Sequence, residues 1–501
     1  MQSITKNLKD ALLTPIRSLR RRYIPLLIIY FAYGAQALTS VALTFWEKEN
    51  LSLSSEQLIA IAVWVSMPWT LKMIIGQLID VVPIFGSRRK AWIFIGAGFM
   101  ALGYCILYGM SIEAPWVTWL GGQYTLYLLS SLVMATGFLI QDATADAMST
   151  EVADRSQDEE SVRQELAMIQ ILGRLSLMIA WALTVGLGGW LAQSWSYEQV
   201  FLLALCIPVL SIVGALFIRL DTADTSTSFN PIIISGGVIF GIFTVIMAFS
   251  DVPFSQEIVF VVSLCLLCFM LRDLLKQQDP SLVKDIVLAF IVIFLFRAVP
   301  SVGPGYNWWA IDILGFDEAF FGVLGQISST VALVILWLAS SYIASKPLRA
   351  VMLLLVVFTA LFEIPNFMLY YGVHDTLGVS ARTVALFDTV LESPLVYISM
   401  IPMLALIAYY APAANRATWF AVAASLMNLS LTAAQLLTKY LNQLFVVSRE
   451  IKDDTGLVIT PQDYSELGWL LWSVLLIGFC VPYLAIVFFL KSVKPDEQAA
   501  P

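Results

Sequence analysis

The sequence predicts an all-α, polytopic membrane protein of fourteen spans, laid out as two six-helix bundles with an extra pair of spans between them. Three observations carry that expectation. Of the 501 residues, 59% are hydrophobic and only 13% charged, about half the charged share of a soluble domain. Apolar runs long enough for a bilayer, about 20 residues for ~30 Å of hydrocarbon, recur from residue 23 to residue 490. Segments of this length in lipid must satisfy their own backbone hydrogen bonds, which helices do.

In order, the expected spans are 23–46, 56–82, 91–111, 121–150, 164–192, 197–218, 231–250, 256–275, 285–311, 318–343, 348–371, 379–410, 415–446 and 465–490. Most of the 28 Lys and Arg fall on the side of the N-terminus, and only Lys48, Arg382, Arg449 and Lys452 fall in segments on the other. By the positive-inside rule both termini are cytoplasmic. The organisation is then a basic N-terminus (1–22), a first bundle (23–219), a linker with two extra spans (220–283), a second bundle (284–490) and a short tail (491–501). The first apolar run is long enough to stay as a span, so no cleavable signal peptide is read. The expectation is a monomer in the cell (inner) membrane, with the lipid bilayer and a small-molecule solute as its partners.

Composition narrows the function. The net charge of −8 comes with no basic patch for nucleic acid. All five cysteines lie in apolar segments, and the pair Cys265 and Cys268 has no histidine or second pair beside it. Packed thiols are therefore expected, with no metal and no cofactor. An intramembrane enzyme would need a nucleophile with its base, or a metal cluster; neither H-E-x-x-H nor G-x-S-x-G occurs. No catalytic residue is assigned.

Charges inside spans are the candidate functional groups, because a cation left unpaired near the bilayer centre costs at least ~2.5 kcal/mol. In the first half these are Lys72, Asp142, Asp146 and Arg174. Asp142 and Asp146 stand four apart and share one helix face. The four can pair simply to hold the block together, or can also exchange partners during a conformational cycle. Asp80, followed by Arg88 and Arg89, sits at the inner water boundary. It reads either as an anchor of the positive-inside kind or as a gate latch.

The string "MPWTLKMIIGQLIDVVPIFGSRRKAW" (67–92) resembles the inner-loop signature of the major facilitator superfamily, and more specifically the folate–biopterin transporter family. Pro68, Trp69, Lys72, Gly76, Asp80, Pro83, Ile84, Phe85, Gly86, Arg88 and Arg89 match that family's pattern, while Met73, Ile79 and Ser87 depart from it. "TFWEKENLSLSSEQL" (44–58) and "FRAVPSVGPGYNWWAIDILGFDEAFFGVLG" (296–325) also resemble it. In "APAANRATWFAVAASLMN" (411–428), Ala411, Ala413, Ala414 and Arg416 depart. The resemblance covers both halves but not 221–280. It implies a secondary transporter that moves folate- or pterin-like solutes by alternating access, with Gly76, Asp80, Gly86, Arg88 and Arg89 as the gating motif; acids inside the second half's spans add the expectation of a proton-coupled symporter. Muropeptide and acetyl-CoA carriers resemble the same first-half motifs and remain alternatives. So does a transport-inactive receptor or assembly factor on this scaffold.

The second half offers a binding region. Pro300, Gly303, Pro304 and Gly305 fall well inside a span, where proline removes a donor and glycine weakens the helix. A broken helix at that depth builds transporter sites, or serves as a packing kink. Arg297, one turn below, suits either an acid or an anionic substrate. Tyr306, Trp308 and Trp309 can stack on a flat ring or form an interfacial belt. Glu363, Asp388 and Glu392 are acids inside spans, the last two again four apart. They read as proton-coupling groups or as partners of Arg382 or Arg297. The only histidine, His374, falls in an outer loop, which argues against a histidine relay. Lys439 is close enough to the end of its span to snorkel.

Overall fold

The computed structural model describes residues 17–84, 87, 89–153, 158–220, 231–276, 278, 280–344, 346–410, 416–452 and 455–490. Gly86 and Arg88 of the expected gating motif lie outside these residues, as does the 411–415 part of the departing stretch.

The helices follow the apolar runs. We number the principal ones α1 (Ile24–Gly34), α2 (Ser40–Asn50), α3 (Ser55–Thr70), α4 (Lys72–Val81), α5 (Lys90–Ser111), α6 (Gln123–Glu151), α7 (Glu159–Ser194), α8 (Tyr197–Leu203), α9 (Cys206–Phe217), α10 (Pro231–Ala248) and α11 (Ser255–Leu275). The series continues with α12 (Pro280–Arg297), α13 (Pro304–Asp312), α14 (Glu318–Ala344), α15 (Leu348–Phe362), α16 (Ile364–Tyr370), α17 (Ala381–Ile398), α18 (Met400–Tyr409), α19 (Arg416–Leu444) and α20 (Leu467–Phe489). A two-stranded antiparallel ribbon, β1 (Ile451–Lys452) with β2 (Val458–Thr460), lies between the last two helices. Polar side chains start several helices. Ser54 and Gln57 form a reciprocal capping box at α3, with Gln57 N donating to Ser54 Oγ at 3.2 Å and Ser54 N to Gln57 Oε1 at 2.9 Å. Asp158 and Ser380 cap α7 and α17 in the same sense.

This is an integral, multi-pass membrane protein. Among the described residues eleven helices are long and apolar enough to cross a bilayer, and a bent pair, α3 with α4, makes a twelfth. The count thus falls short of the expected fourteen. The apolar stretch described in α10, Ser235–Ala248, is short, and the expected span 285–311 is divided into α12 and α13 by residues 298–303. The bend of 42° between α3 and α4 follows Pro68, which lies inside α3 and, as a proline, cannot complete the helical ladder. Large apolar side chains such as Leu102, Phe217, Phe269, Phe387 and Phe488 are more than half exposed, as lipid-facing residues should be.

Two compact units divide the chain: Met1–Leu43, Ile74–Gly121 and Leu129–Ile239 form one, and Thr44–Met73, Gly122–Leu128 and Phe240–Pro501 the other. In the first unit, Tyr23, Leu26, Ile29 and Tyr30 pack with Met148, Ile169, Leu172 and Ala215 to join α1 with α6, α7 and α9. Gln141, fully buried on α6, donates to Ile29 O at 2.9 Å and accepts from Ser211 Oγ at 2.7 Å, tying the same helices by polar contacts. Backbones come very close between α5 and α6, where a Cβ on Gly137 would stand 2.7 Å from Gly96 O. Small residues allow this approach in lipid.

In the second unit a core of Ile286, Phe290, Met352, Met403, Ile407, Trp419, Val422 and Ile486 joins α12, α15, α18, α19 and α20. Helices α3 and α19 run antiparallel and are zipped by side chains. Ser55 Oγ donates to Asn442 Oδ1 at 2.7 Å, the Ser66 and Thr432 hydroxyls meet at 2.8 Å, and Asn428 Nδ2 donates to Trp69 O at 3.0 Å.

Candidate functional site

In the first unit Asp146 accepts from Tyr30 Oη at 3.0 Å and has Arg174 Nη2 at 3.9 Å, the limit of an ion pair. Asp142, one turn before it on α6, is 5% exposed. Lys72 is the first residue of α4, directly after the bend, in the segment grouped with the second unit. Gly76 on α4 faces open space, with nothing within 4 Å of where a Cβ would stand. Asp80 pairs within its own half: Arg89 Nη1 lies 2.7 Å from Asp80 Oδ1, and Arg89 Nη2 lies 2.7 Å from Glu151 Oε1. Arg89 also donates through Nε to Glu151 at 2.8 Å and through Nη1 to Ile79 O at 3.1 Å. Burial acts to lower the guanidinium's proton affinity, but its bonds to Glu151 and Asp80 outweigh that and raise it above the ordinary arginine value. The loop is thus knitted to the ends of α4 and α6 by one cation.

In the second unit the break after α12 spans Ala298 to Gly303, and Gly303 adopts φ +83°, a conformation that favours glycine. Its freed backbone groups are met from α19. Thr438 Oγ1 accepts from Ser301 N at 3.0 Å, and Asn442 Nδ2 donates to Val302 O at 3.1 Å. Pro300 and Gly305 are buried, and Pro304 opens α13. A Cβ on Gly305 would stand 2.7 Å from Val447 Cγ1. The break is therefore held by side chains of a neighbouring helix.

Below the break, Arg297 is half-buried and directs Nε to Met427 O at 3.3 Å and Nη1 to Met400 Sδ at 2.7 Å. Among the described residues no carboxylate lies within ion-pair distance of it. Above the break, Tyr306 Oη donates to Asn366 Oδ1 at 2.6 Å, and Asn366 Nδ2 donates to Glu363 Oε2 at 3.1 Å. Asp388 and Glu392 lie one turn apart on α17, which packs against α15 and α16, the helices that flank Glu363. Asp388 Oδ1 is buried without a hydrogen-bond partner. Among the described residues no cation pairs with Glu363, Asp388 or Glu392, and Arg382 is engaged with Asp317 at 2.5 Å instead. Among the described residues, then, Arg297 has no carboxylate partner before the break, and Glu363, Asp388 and Glu392 have no cation.

Trp308 is 1% exposed, with the Arg449 guanidinium 4.5 Å over its ring, so that face is occupied. Trp309 lies between Tyr306 and Tyr370, at 5.5 and 5.7 Å. By sequence Arg449 is only a cation of an outer loop. It is in fact 2% exposed, donating to the carbonyls of Glu47, Leu51 and Leu53. Lys48 meets Asp312 at 2.5 Å beside it. The extra pair of spans carries no polar motif in sequence, yet it supplies polar contacts. Gln256 and Glu257, at the start of α11, hold Lys439 Nζ at 3.0 and 2.5 Å, and Gln256 Nε2 donates to Ala60 O at 2.8 Å. Lys439, 9% exposed, is anchored inside rather than reaching outward. A cavity of about 360 Å³ opens beside this anchor, lined among others by Glu56, Trp64, Tyr124 and Asp251; none of the sequence-predicted site residues lines it. Asn366, Thr438 and Asn442 carried no sequence signal beyond being polar in apolar runs.

This arrangement is that of a multi-pass helical membrane protein with bent and broken helices and charged side chains inside its apolar runs. The fold is shared with a solved POT family transporter in complex with a thioalcohol-conjugated peptide, at TM-score 0.65 and 14% identity over 95% of this chain and 99% of that one. A peptide transporter POT in complex with sulfate superposes at TM-score 0.61 and 16% identity, over 93% and 94%. The chain belongs to the BT1 family, whose model matches residues 34–498. A folate-biopterin transporter of Synechocystis sp. is 26% identical over 450 residues, covering 88% of this chain and 79% of that protein. Folate transporter 2 of Plasmodium falciparum is 19% identical over 466 residues, covering 93% and 88%.

Proposed function

We propose that this protein is a secondary active transporter of a folate- or pterin-like solute, driven by protons and working by alternating access of its two halves. The observation that carries the reading is the unmatched charge of the second half. A guanidinium inside a span without a counter-ion is costly, and so are three neighbouring carboxyls without a cation. Both become favourable when an anionic solute and protons occupy them. Family membership and the names of the relatives support the solute class. Asp388 and Glu392 take up and release the coupling proton. Among the described residues no cation pairs with these two or with Glu363, so a proton is the charge that can balance them. In the first half Asp142, Asp146, Arg174 and Lys72 change partners as the halves rock, and the Asp80–Arg89–Glu151 knot steadies the inner end.

In this reading α10 and the broken pair α12–α13 are spans as well, which gives fourteen. Both termini are cytoplasmic, the protein is a monomer, and it resides in the cell (inner) membrane. The test is uptake by purified protein in proteoliposomes. Folate or pterin accumulates when an inward proton gradient is imposed, and collapses with an ionophore. Binding without flux would support the receptor reading, and uptake of peptidoglycan fragments or acetyl-CoA instead would reassign the substrate.

A further inference from the structure

We propose that the second half reads its solute end to end: Arg297 takes the anionic group, and the Glu363, Asp388 and Glu392 cluster takes a head rich in N–H donors. This rests on the transporter reading above and adds the solute's polarity and orientation to it.

The two sites lie along the same pair of spans. Arg297 ends α12 against Met400 of α18. Tyr306, on the far side of the break, is tied through Asn366 to Glu363, and α16, which carries Asn366, packs on α17, which carries Asp388 and Glu392. Between Glu392 and Met400 the chain stays helical through Ser399, whose φ and ψ are −61° and −25°. At 1.5 Å per helical residue the level of Glu392 is about 12 Å from that of Met400. A solute with its two polar ends on the order of 10 Å apart therefore bridges the pair.

The chemistry at each end sets the orientation. The Arg297 guanidinium spends Nε on a carbonyl and Nη1 on a thioether, which leaves its Nη2 donors for a carboxylate. In the cluster, the Tyr306–Asn366–Glu363 chain uses Glu363 Oε2, while Asp388 Oδ1 has no donor. Whichever carboxyl of the cluster is without its proton only accepts hydrogen bonds. An aminopyrimidinone edge, with two adjacent N–H groups, meets one carboxylate in a two-bond fork. The reverse orientation would set a carboxylate of the solute against whichever carboxyl of the cluster is ionised and leave the Arg297 guanidinium facing N–H donors, so both ends would be mismatched.

The experiment titrates full-length purified protein with three probes: folate, a pterin without the glutamyl tail, and p-aminobenzoylglutamate. Arg297→Gln weakens folate and p-aminobenzoylglutamate by about tenfold or more and leaves the pterin unchanged. Glu392→Gln weakens folate and the pterin and leaves p-aminobenzoylglutamate unchanged. If Arg297→Gln does not fold, Arg297→Lys carries the same comparison with a smaller factor on the tail-bearing probes. Wild-type binding of the probes with equal losses in both variants overturns the orientation while the transporter reading stands. Wild-type protein that binds none of the three overturns the folate and pterin assignment, and this inference with it.

Discussion

Ser66 of α3 and Thr432 of α19 meet hydroxyl to hydroxyl at 2.8 Å, although 366 positions separate them in the chain. The contact sits inside a zipper whose ends are Ser55 with Asn442 and Trp69 with Asn428. Each interhelical hydrogen bond in a membrane contributes only about 0.6 kcal/mol on average. A seam of this kind can hold two helices and still part. If a transport cycle opens this seam, which lies within one compact unit, locking it shut blocks the cycle. The double substitution Ser66→Cys with Thr432→Cys should therefore form a disulfide under mild oxidation and stop uptake, with activity restored by reductant. Full uptake by the cross-linked protein would show that the seam stays closed throughout the cycle.

Asn442 is the most heavily used side chain of α19. It accepts from Ser55, donates to Val302 O beyond the helix break, and donates to Thr438 O in its own helix. Replacing it by leucine leaves the Ser55 hydroxyl and the Val302 carbonyl without partners. Each orphaned buried group costs about 1–3 kcal/mol. Asn442→Leu should lower the melting temperature by several degrees, and Ser55→Ala, which removes only one partner, by less. Equal and negligible shifts would mean that the break is held by packing alone.

What could be read from the sequence follows from distance along the chain. The helices lie where the apolar runs lie, because lipid forces each run to close its own hydrogen bonds. The interruption near Gly303 was legible because proline and glycine act on their own backbone. The bend after Pro68 carried the same signal within a run that reads as one span, from 56 to 82. Partner choice was not legible. Nothing near Arg449 says that it will cap the carbonyls at Glu47, Leu51 and Leu53, and nothing near Lys439 points to Glu257. These contacts come from how helices distant in sequence pack, and helical periodicity records only which residues share a face.

The Arg89 knot makes a different kind of prediction. One guanidinium serves Asp80, Glu151 and the Ile79 carbonyl, a fork that a lysine cannot reproduce. Asp80 is 40% exposed, and water screens its share, while Glu151 at 15% depends more on the pair. Arg89→Lys should cost about 1 kcal/mol and Arg89→Ala about 2 kcal/mol, read as successive losses of thermal stability. Glu151→Gln should reproduce most of the alanine effect, and Asp80→Asn little of it. A larger effect from Asp80 than from Glu151 would contradict this ordering.

Lys439 tests what the extra pair of spans does. Its ammonium is enclosed by Gln256 and Glu257 of α11, and Tyr440 Oη donates to the same Glu257 at 2.6 Å. Gln256 in turn reaches Ala60 O on α3, so α11 touches both strands of the α3–α19 zipper. Removing one charge strands the other in a mostly buried place, which costs more than removing both. Lys439→Met and Glu257→Gln should each destabilise the protein, and the double variant should recover part of the loss, giving a coupling of about 1 kcal/mol or more in a thermodynamic cycle. If α11 also restrains the zipper, both single variants should speed cross-linking-sensitive opening, seen as faster labelling of a cysteine placed at Ser66. Stability loss with unchanged labelling would make the extra pair a structural buttress only.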